Sequence, residues 1–169
     1  AQSNKKFPDL KQYVLAHSMG SWIALAAMQK GMNISGLIIS GSSKPLKTIL
    51  LIQKILVKIQ IILFGKRSVS VFLDNITLGP YNKQFKPNRT LKDWISSDND
   101  NVDNYVEDPL CGFPVTNGLW DDLANGLLEV FKKDKYPNSN NLTSIFIISG
   151  SDDPVGENGK GVHRLNTFL

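Results

Sequence analysis

The sequence predicts an α/β protein: part of a doubly wound sheet with parallel central strands, interrupted by a helical insertion. Three observations carry this. Residues 13–16, 36–41 and 144–150 are short apolar runs without a helical period. Such runs suit strands covered on both faces, as in parallel sheets. The first and third runs each lead through a turn into a helical pattern. The roughly hundred residues between the second and third runs are different, with long stretches at helical spacing.

The elements follow in order. Tyr13-Val14-Leu15-Ala16 reads as a strand. His17-Ser18-Met19-Gly20 then reads as a tight turn, and residues 21–30, rich in Ala, Leu and Met, as a helix. Gly31 stands where a helix C-terminus wants a left-handed residue. Residues 36–41 form the second strand, with Gly at both ends. Residues 46–64 form a long apolar helix whose Lys47, Lys54 and Lys58 make one narrow basic stripe. Residues 75–103 are polar and loop-like. Leu119, Leu123, Leu127 and Phe131 restore helical spacing over 117–135. Residues 144–150 form the third strand. Val162, Leu165, Phe168 and Leu169 then mark a helix over 159–169. No internal repeat is visible.

Composition sets bounds on function. The chain has 169 residues, 41% hydrophobic and 20% charged, which suits one globular domain with a sizeable core. A formal charge of +4, spread along the chain, argues against nucleic-acid binding. Cys111 is the single cysteine, so no intrachain disulfide forms, and a reducing, cytoplasmic compartment is expected. Asn-X-Ser/Thr sequons at Asn33, Asn75, Asn88 and Asn141 are what an Asn-, Ser- and Thr-rich chain produces by chance. Residues 1–11 are polar, with neither initiator Met nor signal peptide, and Leu169 falls inside a helical pattern. Both ends are therefore expected to be internal to a longer chain.

The sharpest feature is Ala16-His17-Ser18-Met19-Gly20, a G-x-S-x-G pattern with Ala first. Between a strand and a helix, small residues flanking a serine permit a strained turn that lifts the hydroxyl clear of the sheet. The same turn aims the first N–H groups of the helix at one spot, so that of Met19 can stabilise an oxyanion. The second feature is Gly150-Ser151-Asp152-Asp153-Pro154-Val155, directly after the third strand. Functional groups of doubly wound sheets sit at the carboxyl ends of strands. Either Asp152 or Asp153 is placed to orient a histidine.

These segments, with residues 94–98, Asp108-Pro109-Leu110-Cys111-Gly112-Phe113 and residues 150–162, resemble the lysophospholipase and monoacylglycerol-lipase group of α/β-hydrolases, also labelled serine aminopeptidase-like. The likeness covers most of the chain, in order. In that group the serine follows the fifth strand, a helical cap follows the sixth, and the acid follows the seventh. The resemblance implies Ser18 as nucleophile, Asp153 as triad acid with Asp152 second, and the Met19 backbone in the oxyanion hole. It implies a division into residues 1–43 (core), 44–140 (cap) and 141–169 (core). The family's upstream strands, its oxyanion-loop His-Gly and its catalytic histidine match nothing in this sequence. His17, inside the elbow, is expected to point away from Ser18. His163 follows Asp153 by only ten residues and reads as a surface helix residue.

The expected chemistry is two-step acyl transfer on an ester of an acyl lipid, such as a lysophospholipid or monoacylglycerol, with no metal or organic cofactor. The 169 residues alone are expected to be inactive. An aminopeptidase is the rival activity, with the acidic cluster over 98–108 as its amine-binding candidate, and a non-catalytic fragment is the rival class. Asp98-Asn99-Asp100-Asn101 begins like a calcium loop, but Val102 and Asp103 break the pattern. No zinc spacing or phosphate loop appears. Three Lys and two Gln within 46–64 count against a membrane span. The basic stripe beside an apolar surface fits contact with a lipid interface.

Overall fold

In a computed structural model, residues 5–136 and 143–169 are described. The sequon at Asn141 and the expected cap boundary at 140 lie outside them. The chain divides into two compact units, one of Ala1–Leu46 with Gly126–Leu169 and one of Lys47–Asn125.

The first unit holds a parallel sheet of three strands in the order β1 (Tyr13–His17), β2 (Gly36–Ser40), β3 (Ser144–Ile148). The register sets Leu15 beside Ile38 and Ile38 beside Phe146. Helix α1 (Met19–Gln29) follows β1 directly and packs on it through the buried Ser21, Ala24 and Leu25. It stops at Gly31, whose φ of 82° only glycine adopts without strain and whose N–H donates to the Met28 carbonyl.

The runs of β1 and β3 are mostly apolar, yet their burial alternates. Leu37 and Ile39 are buried, whereas Leu15, Ile38 and Phe146 form an exposed ladder across the sheet. The expectation of two covered faces is therefore met on one face of the described residues. Among those residues β1 and β3 each pair only with β2 and are open edges.

The second unit is helical. It begins with α2 (Lys47–Phe64), then α3 (Val71–Thr77), α4 (Gly79–Asn82) and α5 (Asn99–Glu107). Helix α6 (Asn117–Val130) begins in this unit and ends in the first. Its core is Val57, Leu73 and Trp120, with Leu56, Ile61, Leu78, Val115 and Leu123 around them. Buried Asn117 ties the end of α2 to the start of α6 by donating to the Gly65 carbonyl at 3.0 Å.

Residues 75–103 are more helical than their polarity predicts. Helices α3 and α4 and two 3₁₀ turns (Lys83–Phe85 and Asp93–Ile95) occupy much of the stretch, and α5 begins at its end. Caps account for this: Ser70 accepts from the Leu73 N–H, and Asp98 accepts from the Asp100 N–H at 3.0 Å. One buried side chain, Val102, then anchors α5. The last helix, α7 (Lys160–Phe168), returns to the first unit, where its Leu165 is fully buried. Phe168 packs edge-on against Phe131 and Tyr136.

Candidate active site

The site is built on the carboxyl ends of the three strands. Ser18 lies between the last residue of β1 and the first of α1, with φ 51° and ψ −124°. An L-residue held there costs about 1–3 kcal/mol and persists only where its surroundings fix it. Here both backbone groups are fixed. The Ser18 N–H donates to the Ser40 carbonyl at 2.9 Å. The Ser18 carbonyl accepts from the Ser21 N–H at 3.0 Å and from the Ser21 hydroxyl at 2.5 Å.

Met19 is the first residue of α1, so its N–H has no acceptor within the helix and joins the positive end of the helix dipole. Ala16 is buried, which accounts for a small residue there. Gly20 is different, since a Cβ there would meet nothing within 4 Å. Crowding therefore does not account for the small residue at Gly20.

The loop after β2 is held along its length. The Gly41 N–H donates to the Ile148 carbonyl at 3.0 Å. The Ser42 hydroxyl lies 2.5 Å from that of Ser21. The Trp22 indole donates to the Ser43 carbonyl, and the Arg164 guanidinium, paired with Glu157, donates to the Lys44 carbonyl.

Asp153 is half-buried and held through both carboxylate oxygens. Oδ2 accepts from the Ser149 hydroxyl and Oδ1 from the Val155 N–H, each at 2.9 Å. Asp152 is exposed and carries no such bond. Ser18 and Asp153 follow parallel strands separated by β2, hence by about 10 Å of sheet.

Gly41 sits between them at φ 55°. A Cβ there would stand 2.9 Å from the His17 ring and 3.6 Å from Asp153 Oδ2. The His17 ring turns toward the second strand, with Nδ1 3.2 Å from the Ser40 hydroxyl. His163 is exposed on α7.

Sequence reasoning missed Ser21, Ser42, Ser149 and Gly41. Small hydroxyl residues far apart in the chain carry no spacing signal. Gly41 had one available, as a glycine ending a buried strand.

Three of the five acids over 98–108 are engaged locally. Asp98 caps α5, Asp103 pairs with Arg89 at 2.8 Å, and Asp108 accepts from the Leu110 N–H.

Comparison with known proteins gives a consistent picture. Among solved structures, a thermostable carboxyl esterase from Bacillus coagulans in complex with glycerol is similar at TM-score 0.80 and 28% identity. It aligns with 99% of this chain, which covers 55% of the esterase. A lipase in its open form gives TM-score 0.82 at 21% identity, with the same 99% and 55% coverage. A monoacylglycerol lipase from Paleococcus ferrophilus gives 0.61 at 18% identity, over 99% of this chain and 58% of the lipase. The last two likenesses bear on fold alone. The chain thus spans a little over half the length of these structures. No curated protein matches it. The model of the family described as Serine aminopeptidase, S33 matches residues 1–167. The strand–elbow–helix at Ser18, the acid-bearing end of β3 and that match have one conclusion: the chain belongs to the serine aminopeptidase S33 family of α/β-hydrolases.

Proposed function

We propose that the intact protein is a serine hydrolase that cleaves carboxylic esters of acyl lipids, in the manner of a lysophospholipase or monoacylglycerol lipase. The observation that carries this reading is the backbone of Ser18, φ 51° and ψ −124° at a strand–helix junction, which is the geometry a nucleophile elbow needs. The carboxyl esterase similar at 28% identity supports an ester as substrate.

In this mechanism Ser18 Oγ attacks the ester carbonyl and loses its proton to a histidine other than His17 and His163. Asp153 holds that histidine in the tautomer that accepts the proton and stabilises the imidazolium. The Met19 N–H stabilises the tetrahedral oxyanion. The imidazolium protonates the departing alcohol, leaving an acyl-enzyme on Ser18. Water, deprotonated by the same imidazole, then releases the acid and restores Ser18. The division into residues 1–43, 44–140 and 141–169, with the middle segment as the family's cap, is part of the same proposal. So is the inactivity of these 169 residues by themselves.

A fluorophosphonate probe tests the reading. The intact protein is expected to label at one serine, and Ser18→Ala to abolish both labelling and ester hydrolysis. Labelling that survives Ser18→Ala, or its absence from the active intact protein, overturns the assignment. Ester hydrolysis by residues 1–169 alone, lost in Ser18→Ala, would overturn their inactivity.

A further inference from the structure

The turn that carries Asp153 is built against backbone preference. Glu157, Asn158 and Gly159 have φ of 53°, 50° and 90° in succession. Asparagine and glycine tolerate positive φ, so residues 158 and 159 suit it. A glutamate does not, because its Cβ crowds the following carbonyl oxygen. Glu157 is therefore explained by its side chain rather than its backbone.

That side chain pairs with Arg164 of α7. The pair is the least exposed of the ion pairs among the described residues, with side chains at 28% and 39%. Glu157 meets Nη2, and the neighbouring Nε of the same guanidinium donates to the Lys44 carbonyl at 3.0 Å. A planar fork that serves two acceptors fixes each relative to the other.

The two acceptors belong to the two segments that flank the site. Glu157 closes the turn that Asp153 begins. The Asn158 N–H donates to the Asp153 carbonyl at 3.2 Å, and the Glu157 N–H to the Pro154 carbonyl at 3.1 Å. Lys44 ends the loop that starts at Gly41, and its N–H donates to the Gly161 carbonyl at 3.0 Å. Ser149 and Val155 orient the Asp153 carboxylate within its turn. Arg164 fastens the far end of that turn to the loop after β2.

We infer that Arg164 is a positioning residue: by holding the Glu157 carboxylate and the Lys44 carbonyl together, it sets the place of Asp153 relative to Ser18. The inference rests on the reading of Asp153 as the triad acid.

A double-mutant cycle in the intact protein tests it, with ester hydrolysis and Tm as readouts. Arg164→Gln is expected to lower kcat about tenfold with KM within about twofold, because the acid is displaced while substrate contacts remain. In an Asp153→Asn background the same change is expected to cost less than about twofold, since its effect runs through that carboxylate. Glu157→Gln keeps the shape and removes the charge, and is expected to lower kcat about threefold or more. It carries the same cycle if Arg164→Gln does not fold. A folded Arg164→Gln protein with lower Tm and unchanged kcat has lost only a structural tie and overturns the inference. So does an equal loss in both backgrounds, which would send the effect by another route. Asp153→Asn at full kcat overturns the reading of the acid, and the inference with it. A large loss at Asp153 with none at Arg164 overturns the inference alone.

Discussion

The hydroxyl oxygens of Ser21 and Ser42 lie 2.5 Å apart, and neither residue is exposed. Ser21 has one proton and donates it to the Ser18 carbonyl, so Ser42 must be the donor to Ser21. The order Ser42, Ser21, Ser18 forms a buried relay that holds the strained elbow from beneath. It ties the loop after β2 to the residue after β1.

Removing the relay should loosen the elbow. Ser21→Ala deletes the bond to the Ser18 carbonyl and strands the Ser42 hydroxyl, at a cost of about 1–3 kcal/mol in urea unfolding. In the intact protein kcat is expected to fall about tenfold with KM little changed, because Oγ is misplaced rather than removed. Ser42→Ala should cost less, and the double variant less than the two single losses together. A strictly additive pair would show that the hydroxyls do not act as a unit.

Gly161 is a packing constraint of the same unit. A Cβ there would stand 2.7 Å from Ser43 Cβ and 3.1 Å from the Gly156 carbonyl oxygen. Neither is the free end of a flexible side chain, so helix or loop must shift. Gly161→Ala is expected to destabilise by about 1–3 kcal/mol despite the better helix propensity of Ala. A Tm equal to or above that of the wild type would mean that the segment gives way freely.

Much of the fold was legible because its elements announce themselves chemically. The runs of β1, β2 and β3 are too short and too uniformly apolar for surface helices. Residues 46–64 keep a helical period over five turns. Helix α5 was not legible, because one buried residue, Val102, and a cap at Asp98 make it, and neither yields a period. The elbow at Ser18 and the carboxylates after β3 were legible, since small residues around a serine and acids after a strand are local patterns. The residues that brace them were not. Ser42 meets Ser21 across 21 positions of sequence, and the Ser149 contact that separates Asp153 from Asp152 depends on how one turn closes.

Asp153 is the carboxylate whose substitution should separate orientation from folding. Asp153→Asn keeps the volume and can still accept from the Val155 N–H, but it loses the charge that stabilises an imidazolium. In the intact protein kcat for an ester is expected to fall by about 10³–10⁴-fold. Asp152→Asn, at the exposed neighbour, should leave it within about twofold. Ser149→Ala removes a bond to one carboxylate oxygen and should lower kcat about tenfold. Equal losses at Asp152 and Asp153 would reassign the acid.

Asp93 supplies an acid-sensitive contribution in the helical unit. Its carboxylate accepts from the Thr90 hydroxyl at 2.5 Å and from the Arg89 and Thr90 N–H groups. The Thr90 hydroxyl is the largest influence; the two N–H groups and the Arg89 charge add to it, against partial desolvation. Together they hold the carboxyl below its ordinary value near 3.8. A carboxyl depressed in the folded state stabilises above its unfolded pKa, and that stabilisation is lost as pH falls through the folded value. Asp93→Asn is therefore expected to unfold at lower urea than the wild type at neutral pH. The gap should close progressively below about pH 4, where the wild-type carboxyl takes up its proton. Urea midpoints measured for both proteins from pH 7 to pH 3 check this. A gap that stays constant across that range would assign the loss to the geometry of the turn rather than to the ionised carboxylate.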